Sequence, residues 1–148
     1  MRRSLPMILI RVIVALVFIT EGLLKFVYSG ELGAGRFEHI GFPFPHILGP
    51  LVGLVEIVAG AAVLANFCAG DAAIVLLAVI ITAIVSTKIP ILIGRPLGPF
   101  SLPKNISHHG ILGFLHESRT DLAMFFSLIA IAIDSGVRGG RKTQWHQR

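Results

Sequence analysis

The chain has 148 residues, 54% of them hydrophobic and only 14% charged, with a formal charge of +5. An ordinary soluble domain is nearer a quarter charged, so this is a membrane composition at single-domain length. The basic residues gather at the chain ends and in one loop, which fits the flanks of membrane spans and argues against a nucleic-acid partner. Cys68 is the single cysteine, which excludes an intramolecular disulfide and a two-cysteine thiol relay.

Residues 7–28 form the first apolar segment, preceded by Arg2 and Arg3. A basic start before an apolar run also describes a signal peptide. Arg11 interrupts the apolar run, however, and Glu21 and Lys25 occupy the place where small residues would mark cleavage. The segment therefore reads as a retained transmembrane helix. On a helical wheel Arg11, Phe18, Gly22 and Lys25 fall within about 60°. Glu21 and Lys25 are four apart in the favourable order for an intrahelical pair. Residues 29–46 form a loop loosened by Gly30, Gly33, Gly35 and Gly41 and stiffened by Pro43 and Pro45. Phe37, Phe42 and Phe44 give it apolar surface with which to dock on the helices.

The second span, residues 47–66, holds one carboxylate, Glu56. With Gly49 at zero, Gly53 lies at about 40°, Glu56 at about −20° and Gly60 at about 20°. Glycines on one face let a second helix approach closely. Glu56 is thus expected to face a neighbouring helix, and a membrane carboxylate so placed is a functional candidate. After a short turn, Asp71 sits in the first turn of a third span, residues 72–90, which Pro90, Gly94 and Pro96 end or distort. Lys88 lies near its far end. Residues 89–117 read as a long connection containing four of the eight prolines together with His108, His109 and His116. The fourth span, residues 118–136, has Ser118 or Thr120 as N-cap and Asp121 in its first turn. Residues 137–148 are a basic tail.

The expected fold is all-α: an integral membrane four-helix bundle with a long loop between helices three and four, forming one domain over 1–148. Four spans bring both termini to one side. Arg2, Arg3, Arg138, Arg141, Lys142 and Arg148 at the ends outnumber Arg36, Arg95 and Lys104 in the far loops, which places the termini in the cytoplasm. Lys25, Lys88, His116, Glu117, Arg119 and Asp121 then share the outer level. Glu21 lies about 6 Å below Lys25, and Glu56 about 14 Å below the start of its helix. Arg11, one turn in from the cytoplasmic end, is expected to reach toward Glu56. Each of these groups has two readings, as a pair that fixes packing or anchors the interface and as part of a ligand pocket.

No GxGxxG, P-loop, GxSxG or HExxH pattern is present. The six histidines fall in loops, at helix ends or in the tail, so no haem is expected between helices. The spacing of His108, His109 and His116 is not diagnostic of a metal site, and none is assigned. No residue is assigned a catalytic role, and no covalent cofactor is expected.

Arg11 with Phe18, Glu21-Gly22 and Lys25-Phe26; Phe37-Glu38 and Ile40-Gly41 with Pro43 and Pro45; Gly53, Glu56 and Gly60; and the run HESRTDLAM at 116–124 together resemble the DoxX family of small bacterial membrane proteins. The resemblance covers residues 7–136 and implies a bacterial inner-membrane location. It also implies kinship with the small membrane subunit of an archaeal thiosulfate:quinone oxidoreductase, and with mycobacterial proteins that work beside cytosolic redox and detoxification partners. Three functions compete. One is a membrane subunit of a redox system that binds quinone, with a partner protein supplying the redox cofactor. Glu56, Glu21 and His116 would then supply protons, while Arg11, Lys25 or Lys88 would polarise a quinone oxygen. The second is a non-enzymatic membrane scaffold that recruits or stabilises a partner, whether another protein or a second copy in a homo-oligomer. The third is a small proton or solute transporter built around Glu56.

Overall fold

The computed structural model describes residues 4–103 and 108–145, with side chains through residue 136. Arg2, Arg3, Lys104 and Arg148 lie outside the described residues, as do the side chains of Arg138, Arg141 and Lys142. The described chain is helical, and no β-strand is present among the described residues. Helix α1 is Leu5–Val27, α2 Ala34–Ile40, α3 Pro45–Ala65 and α4 Ala69–Ala83. A π-helical turn, Ile84–Lys88, joins α4 to α5, Ile89–Ile93, and α6 is Gly110–Trp145. Three stretches, Leu5–Val27, Pro45–Ala65 and Ala69–Ile93, are long and apolar enough to cross a membrane. The protein is an all-α membrane protein.

Local chemistry sets these boundaries. Prolines occupy the first turns of α1 and α3, where the missing N–H is no loss. Asn66 adopts the left-handed conformation that ends α3, and Cys68 is left-handed two residues later. The turn into α4 is therefore tight, and α3 and α4 start out side by side. Gly41 and Gly94, both left-handed, close α2 and α5. Pro90 has no N–H for the carbonyl four residues back, and its ring crowds that carbonyl. The chain accommodates it with the preceding π turn, in which the Ile89 amide bonds to the Ile84 carbonyl. Ser86 and Thr87 donate their hydroxyls to the carbonyls of Thr82 and Ala83, at 2.7 and 2.6 Å.

Helices α1 and α3 form the most extensive contact, as the glycine faces predict. Gly22, Gly49, Gly53 and Gly60 are all buried. A Cβ on Gly22 would stand 2.5 Å from the Gly53 carbonyl oxygen and 2.7 Å from Ile57 Cγ1. One on Gly49 would meet the Ala34 backbone nitrogen at 2.6 Å, so this glycine seats α2 against α3. Helix α4 packs on α6, α3 on α4 and α1 on α6, closing a ring. Val14, Phe18, Val63, Leu76, Leu128 and Ile131 fill its centre.

Several boundaries differ from the sequence reading. The third helical stretch runs over Ala69–Ile93, and not over 72–90, because the π turn absorbs Pro90. The fourth helix begins at Gly110 and not at 118. Ser118, buried, and Thr120 both lie inside it, so neither is its N-cap, and Asp121 is not in its first turn. The long connection therefore shrinks from 89–117 to 94–109. The loop 29–46 contains a helix of its own, α2. The backbone of the basic tail continues α6 as far as Trp145.

Candidate functional site

The bundle has a terminal end, where α1 begins and α6 finishes, and a distal end, holding α2 and the 94–109 connection. Each end has a buried charge group. At the distal end Lys25 Nζ lies 2.6 Å from Glu56 Oε2 and 3.9 Å from Glu21 Oε2. Glu56 is only 4% exposed. The pair forms because α1 and α3 are antiparallel with Gly22 against Gly53. That register sets Glu56 below Lys25, and a helical side chain leans toward its own N-terminus, which for Lys25 is downward. Opposite them Lys88 Nζ lies 3.5 Å from Asp121 Oδ2, with Lys88 delivered by the π turn.

Both pairs line one cavity of about 640 Å³. Its floor and walls are apolar, with Val17 and Phe18 from α1, Val52 from α3, Val79 and Ile80 from α4, and Met124 from α6. Ser86 and Thr87 line it beside Lys88, and Thr120 beside Asp121. Helix α2 covers it with Arg36, Phe37 and Ile40, and Phe42 follows. The cover is braced from the second loop. Phe42 contacts Phe37 and Phe100, with ring centroids 5.3 and 5.1 Å apart, and the Ser101 amide donates to the Ile40 carbonyl at 3.0 Å. The result is a slot for an apolar group, bordered by paired cations and carboxylates.

Of the residues singled out from sequence, Glu21, Lys25, Glu56, Lys88, Glu117 and Asp121 meet at this cavity. Arg11, His116 and Arg119 do not. Arg11 was expected to reach Glu56, but its guanidinium donates to the Asn66 side-chain oxygen and pairs with Asp134 Oδ2 at 3.2 Å. Depth is the reason. Arg11 is level with the end of α3, and Glu56 stands ten residues back along that helix, about 15 Å away. His116 and Arg119 bond to each other on the exposed side of α6, 3.2 Å between Nη1 and Nδ1. Sequence reading missed Arg36, Phe37 and Phe42 as lining groups, and Asn66 and Asp134 as partners of Arg11. Asp134 left a signal, since it ends the apolar run of α6 as Arg11 nears the start of α1's. The lining role of α2 left none, because it depends on how a seven-residue helix docks.

The DoxX family model matches residues 7–89, which covers α1 to the start of α5 and includes Lys25, Glu56 and Lys88. A relative 43% identical over 122 residues, 82% of this chain and 70% of its own length, is the uncharacterized membrane protein Rv3486 of Mycobacterium tuberculosis. No solved structure matches. With a family model over more than half its length and a relative of this identity, the chain belongs to the DoxX family of membrane proteins.

Proposed function

We propose that this protein is a membrane subunit of a redox system and that its distal cavity binds the head group of a quinone. The observation that carries the reading is the placement of Lys25–Glu56 and Lys88–Asp121 around one apolar cavity. A quinone head needs a flat apolar slot, a donor to each carbonyl oxygen and a route for protons. Val17, Phe18, Phe37 and Phe42 supply the slot. The ammonium groups of Lys25 and Lys88 are the donors, and Glu56 and Asp121 hold them in place. Glu21 and Glu117 border the same space as carboxyl groups able to relay the two protons that a quinone takes up on reduction. The chain has no redox cofactor motif, so electrons would come from a partner protein.

On this reading α6 makes a fourth crossing over residues 118–136. The basic ends then favour both termini in the cytoplasm of a bacterial inner membrane, which would set the cavity toward the outer leaflet. Titration of purified protein in nanodiscs with a long-tailed ubiquinone tests the proposal. Saturable binding that Lys25→Met and Glu56→Gln each weaken about tenfold is the expected result. A wild-type protein that binds no quinone, and carries none through purification, would contradict it.

A scaffolding role draws on a different feature, the Arg11–Asn66–Asp134 group, which joins α1, α3 and α6 away from the cavity. Its contribution is to helix packing.

A further inference from the structure

The cavity is longer on one wall than on the others. On α1 its lining runs from Lys25 to Val17, on α3 from Val52 to Glu56, and on α6 from Glu117 to Met124. Along the α4 rod it runs from Lys88 down to Val75, thirteen residues or about 20 Å. That is two-thirds of the ~30 Å hydrocarbon layer. Chemistry changes along this wall. On α4 the charge sits at the top, in Lys88, whereas below Thr82 the α4 wall is Ile80, Val79, Ala78 and Val75; across from it Glu56 of α3, about 15 Å up from Asn66, reaches up to Lys25.

The lower wall is also exposed. Val75, Ala78 and Thr82 line the cavity and are classed with the exposed residues, Val75 at 45%. They belong to a stretch apolar and long enough to cross the bilayer, so their surroundings at that depth are acyl chains. The Thr82 hydroxyl donates to the Ala78 carbonyl at 2.9 Å, which leaves no unmet donor facing lipid there. Val52 of α3 also lines the cavity. The geometry is a polar pocket at the distal end with an apolar slot that descends between α3 and α4 and opens sideways.

From this we infer that the occupant is a membrane-dissolved amphiphile bound lengthwise, its oxygen-bearing head at Lys25 and Lys88 and its apolar tail along α4 as far as Val75, entering laterally from the bilayer. The inference rests on the quinone reading for the head and extends it to the tail and the route. At the distal side α2 and Phe42 border the cavity, while Glu21, Glu117 and Thr120 line it and are exposed, so the head of a ligand there also meets water. Arg36 and Glu117 stand at that rim and meet a ligand only at its head.

Two measurements test it. In the first, full-length protein in nanodiscs is titrated with a long-tailed ubiquinone and with its tail-free head, 2,3-dimethoxy-5-methyl-1,4-benzoquinone. Wild type is expected to favour the tailed compound by about tenfold or more. Ala78→Trp, which fills the slot, is expected to erase that preference by weakening the tailed compound alone. Equal affinity of wild type for the two compounds, or a preference unchanged in Ala78→Trp, would overturn the inference. In the second, Thr82→Cys on a Cys68→Ser background is spin-labelled in the same nanodiscs. Relaxation by dissolved oxygen is expected to exceed relaxation by a water-soluble nickel chelate, and the reverse order would overturn the slot. If neither quinone binds wild type, the quinone reading fails, and the spin-label result still decides whether the slot opens to lipid. The label also covers the case in which Ala78→Trp does not fold.

Discussion

The two ends of the bundle hold similar chemistry and use it differently. At the terminal end Arg11, 4% exposed, meets Asn66 and Asp134 amid close packing by Val14, Val63 and Ile131. At the distal end Lys25, Glu56, Lys88 and Asp121 are paired just as closely, but they face a cavity. Buried ion pairs seldom add net stability over apolar residues of the same shape, whereas breaking one is costly. The terminal group therefore specifies which helices meet and in what register. The distal pairs also tie helices together, but they leave polar atoms facing a space that a ligand fits. A lone charge in an apolar helix means nothing until its partner and the space around it are known.

This contrast is open to disruption. The largest effect is expected at the terminal end. Arg11→Ala takes from Asp134 its guanidinium partner and should cost about 3–5 kcal/mol, read as loss of monodisperse protein on size exclusion. Joint replacement Arg11→Met, Asp134→Leu should recover most of the yield. A fully stable Arg11→Ala would show that the terminal group is no lock. Gly22→Leu comes next. The new side chain collides with the Gly53 carbonyl and Ile57, and overpacking of about 1–3 kcal/mol is expected in a denaturation titration, with separation of α1 from α3. A third change sharpens the comparison. Glu56→Gln keeps the shape and one acceptor for Lys25, so the protein should fold in near-normal yield yet bind quinone about tenfold more weakly. Misfolding as severe as that of Arg11→Ala would make the two ends equivalent. The smallest effect belongs to the exposed pair. His116→Ala or Arg119→Ala should shift stability by less than about 0.5 kcal/mol and leave quinone affinity unchanged, since neither side chain lines the cavity.

Much of this arrangement was legible in the residues. The glycine face of α3 and the Arg11–Phe18–Gly22–Lys25 face of α1 both emerge from 100° periodicity, and the two faces do pack together. Convergence of Lys25, Lys88, Glu117 and Asp121 at one end follows from alternating helix direction alone. Pairing is where periodicity runs out. It gives the angle of Arg11 and Glu56 around their helices but not their relative height, which the Gly22–Gly53 contact sets. Glu56 therefore found Lys25, one turn above it, and Arg11 found Asp134. The start of α6 was hidden for another reason. His108-His109-Gly110 reads as loop, and nothing local shows that Gly113 would pack on Ile91 and extend the helix back to Gly110. The π turn was half legible. Pro90 announces a distortion, but how it is absorbed depends on Ser86 and Thr87 bonding back along the helix.

The central claim is that the distal pairs hold a ligand and the terminal group holds the fold. Quinone titration of Glu56→Gln beside Arg11→Lys, both as monodisperse protein in nanodiscs, tests it most directly. The account predicts weakening by about tenfold for Glu56→Gln and wild-type affinity for the folded fraction of Arg11→Lys. Equal affinities in the two variants, or no binding by wild type, would contradict it.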